Sequence, residues 1–119
     1  MSFITNWIVR LLDNKIMMYT GSADITGATV LAINTWYHVA AVREGTGTNQ
    51  TKLYVNGTLD VTGTNATNYT TQSQAWIGAQ INNPGATYFQ GYIADLRVTR
   101  GHARYTSNFT PPTGPHRLK

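Results

Sequence analysis

The sequence predicts an all-β domain, an antiparallel sandwich of short strands with no helix longer than a turn or two. Three observations carry this. Thr, Asn and Gly are abundant while charged residues make up only 12% of the 119 residues, a balance that suits polar loops between β-branched and aromatic strands. Short apolar runs recur between turn signals along the whole chain. One pair of runs is joined by Asn56-Gly57, and Asn-Gly readily takes the positive backbone angles of a type I′ hairpin turn.

Taken in order, Phe3–Leu12 is a strand rich in Ile, Val and Trp, and Asp13-Asn14 turns the chain into a second strand, Lys15–Thr20. Gly21–Gly27 reads as a polar loop and Ala28–Ile33 as a third strand. Trp36–Arg43 follows, with Trp36, His38, Ala40 and Val42 on one face and Tyr37, Val39, Ala41 and Arg43 on the other. Both faces are largely apolar, which predicts a central strand covered on both sides. Thr51–Val55 and Thr58–Val61 form the hairpin about Asn56-Gly57. Thr62–Gln74 is a long polar loop around Tyr69, Gln74–Ala79 a strand, and Gln80–Ala86 a second loop turning at Asn82-Asn83-Pro84-Gly85. Thr87–Thr99 reads as a long strand with a bend at Gly91. A helical turn is expected at Gly101–Tyr105, and Pro111, Pro112 and Pro115 keep the end of the chain out of regular pairing. This is about eight strands with polar turns, the pattern of a sandwich. The expected organisation is one domain over residues 1–113 with a tail at 114–119.

Composition excludes several functions. A chain of this length buries roughly 65–70% of its unfolded surface, enough for one core without staples. With no cysteine, disulfides, thiolate metal sites and cysteine nucleophiles are excluded. The formal charge is +4, but the basic residues are spread out rather than gathered in a stripe, so no nucleic-acid partner is expected. Ser2–Met18 is apolar but interrupted by Arg10, Asp13 and Lys15, which fits neither a membrane-spanning helix nor a signal peptide.

Four pieces in order resemble the laminin G-like, concanavalin A-like lectin/glucanase jelly-roll family. They are Asn34-Thr35-Trp36-Tyr37-His38-Val39-Ala40, Leu53-Tyr54-Val55-Asn56-Gly57, Trp76-Ile77-Gly78, and Gly91-Tyr92-Ile93-Ala94-Asp95-Leu96-Arg97-Val98. The resemblance runs from about Leu12 to Pro112. The stretch Thr99–Pro112 is similar to the ending of such domains in tailed-phage and marine bacterial surface proteins. The resemblance implies a jelly roll shortened at the N-terminus, since the family domain usually has further strands before this stretch. Three explanations then stand: a fragment of a longer protein, a minimised sandwich, or an open surface buried against copies of the same chain or another virion protein, the last being the one expected. Ala94 stands where the family often has an acid, so calcium is retained only as a minor alternative, with Asp95 as its one candidate ligand.

Glucanases of this architecture use two nearby carboxylates as acid and nucleophile. The five acids here, Asp13, Asp24, Glu44, Asp60 and Asp95, are scattered singly, so the sequence predicts no enzyme. His38 reads as a packed residue rather than a base or ligand, and no catalytic residue, metal ligand or cofactor is assigned. Sugar sites commonly combine an aromatic platform with Asn or Gln side chains. The candidates of that type are Asn65, Asn68 and Tyr69 in one loop, and Asn82, Asn83 and Tyr88 at the other. The expected function is a non-enzymatic structural and binding module of a virion (tail, fibre or capsid decoration) or of a bacterial surface, with host polysaccharide as the multivalent ligand. The expected partners are other copies of the chain or another virion protein, with no membrane insertion. The alternatives are a purely structural assembly protein without a glycan ligand and, behind it, a polysaccharide-degrading enzyme.

Overall fold

The computed structural model of the chain describes residues 7–21, 23–69, 75–79 and 88–114. Six strands in these residues make two antiparallel three-stranded sheets, a small jelly-roll-type sandwich, and no helix occurs among them. The first sheet holds β1 (Ile8–Leu12), β2 (Lys15–Tyr19) and β3 (Asp24–Thr26) in that order. The second holds β4 (Val39–Arg43), β5 (Thr51–Val55) and β6 (Thr58–Gly63) in that order.

Each sheet is seeded by a two-residue hairpin. Asp13 and Asn14 have φ of 50° and 59°, and Leu12 pairs with Lys15. Asn56 and Gly57 have φ of 50° and 80°, and Val55 pairs with Thr58. Positive φ at both central positions is the twist-matched turn for adjacent strands. Gly57 is needed for a second reason: a Cβ there would overlap the Phe109 carbonyl.

The sheets face each other through Ile16 and Met18 of β2 and Ile25 of β3 on one side, and Leu53 and Val55 of β5 on the other. Leu31, Tyr37, Val39 and Val61 pack around this cluster. The register places Val39 beside Val55 and Ala41 beside Leu53, so β4 keeps the face division its alternation predicts. Leu53 and Tyr54 are both fully buried, although alternation sends them to opposite faces of β5. Burying such a side chain contributes about 1.5–3 kcal/mol before entropy. A bulge lies in the β5–β6 pairing, because Leu53 pairs with Val61 but Tyr54 pairs with Leu59. Asp60 is the extra residue. It accepts hydrogen bonds from the Thr29 backbone N–H (3.0 Å) and from the Thr29 hydroxyl, which is the re-aiming of a side chain that bulges commonly serve.

The outer face of β5 is covered by the C-terminal segment rather than by a third layer. Tyr105 and Phe109 stack with ring centroids 3.6 Å apart and planes 7° from parallel. Phe109 meets His38 edge-on at 5.5 Å and Tyr54 at 5.4 Å. The segment is tied down by polar bonds as well. Phe109 N–H donates to Gly57 C=O (2.9 Å), Leu59 N–H to Asn108 Oδ1 (2.8 Å), and Lys52 Nζ to Thr106 C=O (2.8 Å). Lys52 also pairs with Glu44. That hydrogen bond to the carboxylate is the main reason the Lys52 ammonium is held above its ordinary pKa. Burial pushes the Tyr54 phenol up, and its hydroxyl has no hydrogen-bond partner among the described residues.

Several expectations are corrected. The Trp36–Arg43 stretch is an edge strand, not a central one, and pairs only from Val39 onward; β5 holds the centre of its sheet. Residues 28–33 form a crossing rather than a strand. The Thr29 N–H is taken by Asp60, and Leu31 N–H donates to Asn14 C=O (2.7 Å), so the segment links the two sheets and joins neither. The expected loop at Gly21–Gly27 contains β3, because its Ile25 completes the inter-sheet cluster. No strand forms in residues 88–99. Tyr88 makes a single bridge to Ala79, and Asp95 adopts φ 57°, a left-handed turn that breaks the pleat. Residues 101–105 show bends and no helical turn. The first residues of the Phe3–Leu12 strand lie outside the described residues.

The packing predicts three outcomes in denaturant unfolding. Leu53→Ala lowers stability by about 2–5 kcal/mol, the usual range for a buried leucine. Gly57→Ala costs about 1–3 kcal/mol through its left-handed backbone, and more if the Phe109 carbonyl cannot retreat. Tyr54→Phe is neutral or mildly stabilising at neutral pH, since the hydroxyl it removes is buried without a partner. The folded phenol titrates above its unfolded value near 10, as Lys52 does above its own. Both contributions are therefore complete below those unfolded values and are lost as pH rises through the folded ones. Stability should fall in that alkaline window, and less steeply in Tyr54→Phe. An equal fall in both proteins would contradict the role of Tyr54.

Candidate functional site

The two candidate sugar-binding loops have different fates. The first leaves the end of β6 and runs back toward the first sheet. Arg43, at the end of β4, organises it: Nη1 donates to Thr67 C=O (2.8 Å), and the guanidinium carbon lies 5.5 Å from the centre of the Tyr69 ring. That distance is within cation–π range. The Tyr69 hydroxyl donates to Thr20 C=O (2.7 Å), just past the end of β2, and accepts from Asn65 Nδ2 (2.9 Å). Asn65 Oδ1 in turn accepts the Thr67 backbone N–H (3.2 Å).

Asn65 is 1% exposed and both ends of its amide are engaged inside the protein. A group buried and paired in this way helps to hold the loop's shape. Tyr69 is half-buried, with its hydroxyl spent on the crossing to Thr20. Asn68 is exposed. This loop offers a ligand the Asn68 side chain and the accessible part of the Tyr69 ring, on a backbone fixed by Arg43 and Asn65. The residue that sequence reasoning missed is Arg43. Its signal was available, because a charged residue ends the row that begins with the packed Tyr37 and Val39 and gains from a partner there.

Of the second loop, Asn82 and Asn83 lie outside the described residues. Tyr88 is 57% exposed. Its bridge to Ala79, with Phe89 N–H donating to Gly78 C=O (2.7 Å), sets residues 76–79 alongside 88–90. Trp76 is half-exposed in this stretch, and Gln90 Nε2 approaches the Tyr88 hydroxyl at 3.4 Å. The stretch therefore presents aromatic surface with an amide beside it, the chemistry that suits a sugar ring. Gln90 was not singled out from the sequence, although an amide two residues from an exposed tyrosine is a visible signal.

The acids are placed as follows. Glu44 is held by Lys52 and Asp60 by Thr29, while Asp13 lies in a hairpin turn, Asp24 in β3 and Asp95 in the C-terminal half. Among the described residues no three His, Asp or Glu side chains gather to hold a metal ion. No helix among them is long and apolar enough to cross a membrane.

The two sites differ in how firmly they are built, which gives a test. Tyr69→Phe removes the hydroxyl that crosses to Thr20 and leaves the ring under Arg43. It should lower stability by about 1–2 kcal/mol and raise hydrogen exchange in residues 64–69. Tyr88→Phe, at an exposed position, should leave both unchanged. Equal stability of the two variants would show that the Tyr69 crossing is not a structural tie.

Comparison with known proteins identifies the family. The profile described as the concanavalin A-like lectin/glucanases superfamily matches residues 5–103, and the chain belongs to it. Searches of curated proteins and of solved structures each returned no match. The family is one of carbohydrate-binding or structural modules, with glucanases within the superfamily.

Proposed function

As the reading drawn from that membership, we propose that the chain is a non-enzymatic binding and structural module. It would be displayed on a virion, as part of a tail, fibre or capsid decoration, or on a bacterial surface. There it would hold host polysaccharide through sites that are weak in one copy and effective in an assembly. The observation that carries this reading is a lectin-superfamily match over residues 5–103 in a chain whose Glu44 and Asp60 are already engaged within the fold. A glycosidase needs two unencumbered carboxylates about 5–10 Å apart across the scissile bond. Binding needs less: an aromatic face and a few amides. Asn68 with Tyr69, and Tyr88 with Gln90, supply those groups. The virion or surface setting rests on the similarity of the Thr99–Pro112 stretch to the endings of such surface proteins.

Sites of this kind are shallow, so affinity would come from number. When one copy is held, the next binds at an effective concentration set by the spacing, and avidity rises by about 10²–10⁴ without any new contact. A second reading, a structural assembly protein with no glycan ligand, is favoured by the run of exposed apolar side chains in residues 88–98.

A glycan array read with the protein clustered on a multivalent carrier tests the proposal. Binding to a bacterial polysaccharide class is expected, and Tyr88→Ala combined with Asn68→Ala should weaken it at least tenfold while leaving the fold intact. No binding at high avidity would remove the glycan and leave the structural reading. Release of reducing sugar from the same polysaccharide would overturn the non-enzymatic assignment.

A further inference from the structure

The two sheets approach along β3 and β6. Ile25 lies against Gly63, where an added Cβ would come within 2.6 Å of it, and the Gly27 backbone lies against Asp60. The strand orders then leave β1 and β4 as the edges on the opposite side. That side is open. Four of the five residues of β1 are exposed and Ile8 is half-buried, so neither face of the strand has the cover an apolar strand normally finds. Val9, Leu11 and Leu12 are among its exposed side chains, and among the described residues no strand pairs with its outer edge.

The same chain carries a segment of matching character. Residues 91–98 alternate as a strand would, with Tyr92, Ala94, Leu96 and Val98 in one row and Ile93, Asp95 and Arg97 in the other. Tyr92 is 86% exposed and Val98 72% exposed, and Ile93 and Leu96 are also exposed. With Tyr88 and Phe89 just before them, and at roughly 150–250 Å² for each large aromatic side chain, the segment offers several hundred Å² of apolar surface. That approaches the ~800 Å² that each partner contributes to a standard interface. It is of the order of the largest apolar patch a monomer ordinarily leaves in water, about 300–600 Å².

We infer that residues 91–98 of one copy add as a strand to the open β1 edge of a second copy, in a two-fold exchange that closes both sandwiches. In this pairing the Tyr92, Leu96 and Val98 row meets the Val9 and Leu11 row of β1. The opposite row places Asp95 and Arg97 on the same face as Arg10. Pairing also takes Asp95 from its left-handed turn into the pleat, where its backbone is unstrained. A symmetric dimer satisfies both chains at once, since each carries one edge and one segment. The inference deepens the assembly half of the proposed function by naming its surface, and it does not depend on the glycan.

Light scattering across a hundredfold range of concentration, with hydrogen exchange on the same samples, tests it. The wild-type chain should show twice the monomer mass, with protection in residues 8–12 and 91–98 that grows with concentration. Tyr92→Lys combined with Val98→Lys should be monomeric, and because both positions are exposed the fold should survive. Leu11→Lys, on the β1 side, should also be monomeric, and mixing the two variants restores one of the two contacts and part of the association. A wild-type monomer throughout, or a dimer indifferent to both variants, would overturn the inference. So would concentration-independent protection of 91–98, because the segment would then be pairing within its own chain. A monomer that still binds on the array defeats this inference alone. A dimer that binds nothing defeats the glycan reading alone.

Discussion

β5 has to be covered on both faces, and the arrangement of the rest of the chain follows from that. Leu53 and Val55 need an apolar layer on one side, and Tyr54 needs one on the other. The first sheet supplies the inner cover through Ile16, Met18 and Ile25. Among the described residues no sheet supplies the outer one. The chain returns from its far end to lay Tyr105 and Phe109 over Tyr54 and His38. Because that cover is a segment rather than a strand ladder, it has to be fastened group by group. Gly57, Leu59 and Lys52 each hold one point of it. The Asn-Gly turn therefore has two functions. It sets the hairpin register, and its lack of a side chain lets the Phe109 backbone approach.

What could be read from the sequence divides along the same physical line. Local signals were reliable: the Asp13-Asn14 and Asn56-Gly57 turns, the strands they join, and the division of the Tyr37–Arg43 residues between two faces all match the structure. The misreadings concern cover and neighbours, which local pattern does not specify. Within Trp36–Arg43, Tyr37 and Val39 meet the other sheet and His38 meets the C-terminal aromatics, while Trp36 and Ala41 are exposed and the strand stands at an edge among the described residues. Residues 91–98 have a strand's alternation but no neighbouring strand within the described chain, and without one Asp95 takes the left-handed conformation. The short strand β3 was hidden in a polar stretch because a single residue, Ile25, carries its burial.

The candidate site shows the same division. Asn and Tyr in a polar loop are the residues a sugar site needs, and they are equally the residues a long loop needs to satisfy its own backbone. Composition does not separate these uses; partners do. Asn65 and the Tyr69 hydroxyl are consumed by Thr67 and Thr20, because a loop leaving β6 must replace the ladder bonds it gives up. Asn68, Tyr88 and Gln90 carry no such duty. A residue set chosen for its chemistry thus splits into a scaffold and an accessible remainder, and the remainder is smaller than the sequence suggests.

That small remainder bears on how a module of this size could function at all. On the proposed reading, a few side chains on an open surface would exclude little water and immobilise little of a long polymer, so the contact per copy would be weak. Among the described residues the two sheets meet along β3 and β6 and no strand pairs with the outer edges of β1 and β4, which is the side the proposed dimer would cover. In the proposed dimer, covering that side and multiplying weak contacts would be one event. Stability and binding would then be coupled through assembly, and neither would require the single chain to carry a deep pocket.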